Sequence, residues 1–215
     1  MSRQHGETTT MKTLYIFLTR SGTLLSNLVY SLTGAQYTHI SLAFDEDLST
    51  LYSSTRKNGY TMFPAGPSRE YLNRGVFLMR ENIPCALYAL EVTDEAYTRA
   101  KRRTQHMMHH GELYRFNSLG LLLCWMHVRW QRRRHYFCSQ FVSEVLQKSG
   151  ALELPKPSTL MHPSDYAELP ELRYRGTLAG LPQRQSMELG EVESVMGLYL
   201  NVLLGAVKGR VRRLF

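Results

Sequence analysis

Cysteine and acidic residues are both scarce in this chain. Cys85, Cys124 and Cys138 are the three cysteines among 215 residues. An odd number with no C-x-x-C spacing excludes a disulfide-stapled scaffold and a cysteine-built metal motif, and reads as reduced thiols. No run of about 18 apolar residues occurs, so no segment of the sequence is fit to span a bilayer. Residues 1–12 are polar, and the first apolar run, 14–18, is too short for an export core, which predicts a cytoplasmic chain. Internal repeats and low-complexity tracts are missing too. Acids number 18 against 26 lysines and arginines, leaving a net charge of +8. The basic residues cluster at 99–103, at Arg129 with 132–134, and at 208–213. No helix-turn-helix, zinc-finger or aromatic RNA-binding signature accompanies that charge, so no specific nucleic-acid partner is expected.

What is present is a mixed α and β pattern. Residues 1–11 read as a leader, with Met11 an alternative start, and 14–18 as a buried strand. A helix follows over 23–33, carrying Leu24, Leu25, Leu28, Val29 and Leu32 on one face and stopped by Gly34. Residues 37–44 alternate as a strand, with Ile40, Leu42 and Phe44 on one face and His39, Ser41 and Ala43 on the other. Asp45, Glu46 and Asp47 suit a turn, and 48–55 a returning strand. Asn58-Gly59 and the prolines at 64 and 67 mark loops; 76–79 and 86–92 read as further strands. Thr93 caps a helix with Asp94 and Glu95 in its first turn. A second helix runs over 137–149 with Phe141, Val142, Val145 and Leu146 inward and Gly150 as its stop. Hairpin-joined strands among helices make the class α+β. The expected organisation is a leader over 1–11, a domain over 12–180 and a basic amphipathic helical tail over 181–215.

Cys138 carries the chemistry. It stands at the start of an amphipathic helix, where unpaired amide groups and the positive end of the helix dipole favour a thiolate and hold an oxyanion. Cys124, inside an apolar segment, and Cys85, after a proline, lack that setting. A nucleophilic thiol needs an imidazole to take its proton. Of the eight histidines, His39 shares its strand face with small residues that would admit the helix bearing Cys138. His106 and His110 lie four apart on a helix with no carboxylate of a zinc motif beside them, and read as a polar helix face.

The segment 37–45, YTHISLAFD, followed nearly a hundred residues later by 136–142, YFCSQFV, resembles the circularly permuted papain-like hydrolases, the YiiX-like branch of the NlpC-type superfamily of cysteine peptidases and amidases. In that permuted form the histidine strand precedes the cysteine helix. The resemblance, which runs over about 14–176, implies an antiparallel sheet packed on the cysteine helix, and cleavage of an amide bond through an acyl-enzyme, with neither cofactor nor metal. The lecithin retinol acyltransferase group shares the permuted plan, so a lipid-acyl substrate stands beside a peptide one. The resemblance also implies a third polar residue on the neighbouring strand to orient the imidazole. With the turn centred between Glu46 and Asp47, Ser54 faces His39; a slip of one residue brings Ser53 or Thr55 instead. None of these is a carboxylate or an amide, which supports a rival reading, a non-catalytic binding module on the same fold. Tyr114 occupies the region where such proteins carry a tyrosine that supports the oxyanion, with Tyr37 the alternative. Separately, the apolar residues of 192–207 followed by Lys208, Arg210, Arg212 and Arg213 suggest peripheral contact with an anionic membrane through 192–215.

Overall fold

The structure, a computed structural model, describes residues 10–57, 64–80 and 82–186. Residues 1–9 of the expected leader over 1–11, the Asn58-Gly59 turn, and residues 187–215 of the expected tail over 181–215 lie outside the described residues. The chain divides between Gln185 and Ser186, and the main sheet with the candidate site belongs wholly to the first unit.

Six strands form one antiparallel sheet in an α+β fold: β1 (Met11–Thr19), β2 (His39–Ala43), β3 (Leu51–Arg56), β4 (Ala65–Glu70), β5 (Pro84–Thr93) and β8 (Glu171–Thr177), in the order β4-β3-β2-β1-β5-β8. Met11 already pairs with Thr93, so the first strand begins three residues before the apolar run that announces it. Between these strands lie α1 (Leu24–Thr33), α2 (Gly75–Met79), α3 (Asp94–His109), α4 (Ser118–Trp125) and α5 (Cys138–Ser149), and α6 (Pro182–Ser186) follows them. Two short segments, β6 (Arg115–Phe116) and β7 (His135–Tyr136), pair in parallel just ahead of α5.

The helices start and stop where local chemistry dictates. Thr93 accepts a hydrogen bond from the Ala96 amide at the start of α3, and Thr23 does the same for Ser26 at the start of α1. Gly34 and Gly150 end α1 and α5 in the left-handed conformation, at φ 63° and 74°, which a side chain adopts only at a cost. Gly150→Ala is therefore expected to lower the unfolding free energy by about 1 kcal/mol, measured by urea denaturation, with the fold retained.

Ladder partners share a face, so Thr19, His39 and Cys85 project to one side, together with Phe17, Ser41 and Leu87. The opposite side, with Leu14, Ile16, Leu18, Ile40, Leu42 and Tyr88, forms a continuous core with Phe141, Val142, Val145 and Leu146 of α5 and Ala96, Ala100 and Met107 of α3. Each fully buried leucine, isoleucine, valine, phenylalanine or methionine here contributes roughly 1.5–3 kcal/mol. This corrects the expectation that α5 docks on the face of Ser41 and Ala43: those small residues are covered instead from the side where Phe17 meets Phe77 of α2, ring centroids 6.2 Å apart. Residues 76–79, expected as a strand, are helical, because a short apolar run fits a buried helix turn as well as a strand and Gly75 at φ 61° turns the chain into it. β8 was not expected; its sequence, ELRYRGT, is polar and largely exposed and gives no alternation to read.

Candidate active site

Cys138 is the first residue of α5 and His39 the first of β2, so the two meet at the ends of their elements rather than across packed faces. Four contacts set the start of α5. Ser54 Oγ donates to the Tyr136 carbonyl at 2.6 Å, Ser139 Oγ to the Met161 carbonyl at 2.6 Å, Ser143 and Tyr166 share a hydroxyl–hydroxyl bond of 2.7 Å, and Asn117 Nδ2 donates to Gln140 Oε1 at 3.1 Å. The residue before the helix, Phe137, supplies no side-chain cap. The opening amides of α5 are thus left to a ligand or to water.

Cys138 neighbours the His39 imidazole closely enough that its hydrogen bond and charge both raise the pKa of the ring. On the other side of the ring, Nε2 lies 2.9 and 3.1 Å from the two carboxylate oxygens of Glu70. Ser41 Oγ donates to Glu70 Oε2 at 2.7 Å and sits 3.3 Å from Nε2. Glu70 thus fixes Nε2 as the protonated nitrogen and leaves Nδ1 as the ring nitrogen free to serve Cys138. The side chains of His39 and Glu70 each keep 16% exposure and Cys138 keeps 8%: sheltered, yet not sealed.

The electrostatics follow from this arrangement. Burial alone would push the His39 pKa down; the Glu70 charge, with hydrogen bonds to Cys138 and Glu70, reverses that and raises it to about 10. Burial likewise opposes ionisation of Glu70, but the charge of His39, the hydrogen bonds from His39 and Ser41, and the Arg56 guanidinium hold its carboxyl below the ordinary value. Each partner keeps the other charged. Cys85 and Cys124 differ: burial pushes both thiols up to about 12. Cys124 has a histidine near it, His162 Nε2 at 3.7 Å, but that imidazole is itself lowered, chiefly by burial.

The other expected site residues lie elsewhere. Ser54 is spent on the Tyr136 carbonyl and Ser53 on the Ile40 carbonyl at 2.7 Å, so neither orients His39. The pair Leu42–Tyr52 shifts the β2–β3 register by one residue from a turn centred after Glu46, which brings Thr55 opposite His39. Tyr114 stacks near Tyr136, ring centroids 6.1 Å apart, and is half-buried at the rim of the core; it is a packing residue with no described contact to Cys138. Tyr37, almost fully buried, turns its hydroxyl toward Arg175.

Glu70, the orienting residue, was not expected, because it comes from β4, two strands from β2 rather than from the neighbouring strand. β4 itself was hidden by Gly66 and Pro67, which read as a loop; proline is admitted because β4 is the edge of the sheet. The signal that could have found Glu70 was chemical: a lone glutamate closing a hydroxyl-bearing stretch after the hairpin. A serine-only site is therefore corrected to one with a carboxylate. A simple check separates the roles. Ser54→Ala is expected to cost about 1 kcal/mol of stability and to leave the alkylation rate of Cys138 within about twofold, whereas an orienting role would lower that rate sharply.

A cavity of about 860 Å³ is lined by Arg20, Asn27, Tyr30, Arg80, Asn82 and Pro84 among others, and by none of Cys138, His39 and Glu70. It begins one residue beyond Thr19, the ladder partner of His39. Among the described residues, no group of three or more histidine, cysteine or acidic side chains is placed to hold a metal, and no helix is long and apolar enough to cross a membrane. His106 and His110 lie with ring centroids 4.6 Å apart, tilted by 56°, without a third ligand among the described residues. No protein-family model, curated protein or solved structure matches the chain.

Proposed function

We propose that the protein is a cysteine hydrolase of the permuted papain-like type, cleaving amide bonds through an acyl-enzyme. The observation that carries this reading is the His39–Glu70 pair at 2.9 Å, with Cys138, at the uncapped start of a helix, interacting with the same imidazole. Cys138 Sγ, as the thiolate whose proton His39 Nδ1 already holds, attacks the carbonyl carbon. That imidazolium is held by Glu70, which is why a raised His39 pKa suits the task. The oxyanion is received by the Cys138 backbone N–H and its helix-start neighbours. As the C–N bond breaks, His39 returns the proton to the leaving amine. Water, deprotonated by the same imidazole, then cleaves the thioester and regenerates the thiol.

The presence of a carboxylate removes the main support for a non-catalytic binding module. A lipid-acyl substrate remains the second reading, favoured by the exposed apolar side chains of α4, Leu119 and Leu122 among them, in the segment that leads to Cys138.

The test is covalent. Mixed with p-nitrophenyl acetate, the wild-type chain is expected to release a burst of nitrophenol and to carry a single acetyl group, mapped to Cys138 by mass spectrometry. Cys138→Ala is expected to show neither. Acetylation spread over Cys85 and Cys124, or a burst that survives in Cys138→Ala, would remove the proposal.

A further inference from the structure

We infer that the surface formed by α4 and the arginine-rich segment after it docks on an anionic lipid membrane. The helix reads SLGLLLCW and is apolar on every side. A helix of that composition belongs in a core or in lipid, yet Gly120 and Cys124 are its buried residues. Leu119 is 52% exposed, Leu122 47% and Met126, just past the helix end, 55%. At spacings of three and four these share one outward face. The helix then ends on His127 at φ 57°, with the Val128 amide bonded back to the Leu123 carbonyl at 2.8 Å and the His127 amide to Cys124 at 3.0 Å. That closure fixes Val128, 45% exposed, beside the same face.

The segments on either side of α4 carry Arg115, Arg129, Arg132, Arg133 and Arg134, all exposed. None forms an ion pair among the described residues, and the sequence carries no acid between Glu112 and Glu144. The two chemistries choose the partner together. A second copy of the chain would set five arginines against five. A nucleic acid would satisfy the arginines and leave the leucines, Met126 and Val128 in water. An anionic bilayer supplies an acyl layer for the apolar face and headgroup phosphates for the guanidiniums in one surface. The arginines lead through β7 directly into Cys138, so docking there would hold the candidate site at the lipid boundary. Docking of this kind does not depend on catalysis, and it involves a different segment from 192–215.

Flotation of the full chain with phosphatidylcholine vesicles, with and without phosphatidylglycerol, tests it. The expected result is co-flotation with the phosphatidylglycerol vesicles, weakened by salt, and little with phosphatidylcholine alone. Replacing Arg132, Arg133 and Arg134 with glutamine is expected to weaken partitioning on the order of 100-fold, at about tenfold or less per charge. Leu122→Gln with Met126→Gln is expected to weaken it roughly tenfold. Both variants should melt at the wild-type temperature, since the substituted positions are exposed. Replacing Lys208, Arg210, Arg212 and Arg213 with glutamine in the full chain should leave binding in place. Equal flotation on both vesicle types, loss confined to the 208–213 variant, or self-association or RNA binding without flotation would overturn the inference.

Discussion

Replacing His39 with alanine is expected to slow acetylation of Cys138 by p-nitrophenyl acetate on the order of a thousandfold, the middle of the range for loss of a positioned general base. The size of the effect follows from the geometry. His39 is the imidazole within reach of the Cys138 thiol, and the next thiol–histidine contact in the described residues, Cys124 with His162, involves a buried thiol pushed up to about 12. No second pair among the described residues is placed to compensate. Stability should move the other way from what a loss of contacts suggests in one respect: alanine leaves Glu70 buried beside Arg56 and Ser41 without its main counter-charge, so the variant is expected to gain from acidification that protonates Glu70. Acetylation rate and thermal melting, each followed from acidic to neutral conditions, check the two halves.

The second large effect concerns Glu70. Glu70→Gln keeps an acceptor for the Nε2 proton and removes the charge. The rate is expected to fall roughly a hundredfold, the low end of the range for general acid–base catalysis because the amide still holds the ring, and the alkaline limb of kcat/KM, set by His39 near 10, is expected to move toward neutrality. Folding stability gives an independent reading of the same pair. His39 is raised on folding from an ordinary value of 6.5, so its contribution is fully present below 6.5 and fades as pH rises through about 10. Glu70 is lowered from an ordinary value of 4.5, so its contribution is present above 4.5 and is lost as pH falls through the folded value. Wild-type stability should therefore peak between these limits, and Glu70→Gln should flatten both flanks. A pH-melting series on the two proteins tests this; identical curves would mean that the carboxylate and the imidazole do not interact.

These effects explain which parts of the site the sequence could reveal. Cys138 and His39 were legible because each sits in a local pattern: a cysteine opening an amphipathic helix stopped by Gly150, and a histidine opening a strand that alternates through Ile40, Leu42 and Phe44. The long strands and capped helices were legible for the same reason, since period and caps are local properties. Glu70 was not, because its role depends on the curvature and register of three strands, and β2 and β3 share a single pair, Leu42 with Tyr52. Turn-centred counting misplaced that register by one residue, enough to promote Ser54 to a role that its bond to the Tyr136 carbonyl excludes. The face on which α5 docks was misread by a related route. Small side chains at Ser41 and Ala43 suggested a helix close by, whereas the larger apolar residues on the other face supplied the greater burial. β8 escaped altogether because an exposed edge strand has no buried side from which to draw a pattern.

The measurement that bears most directly on the linked thiol, imidazole and carboxylate is the rate at which iodoacetamide alkylates Cys138 at neutral pH. In the wild-type chain Cys138 is expected to react at least about tenfold faster than a free thiol, with Cys85 and Cys124 unlabelled. The advantage should vanish in His39→Ala and shrink in Glu70→Gln, and the double variant should be no slower than His39→Ala alone, because all three act as one unit. A wild-type rate equal to that of a free thiol, unchanged when His39 is removed, would contradict the account.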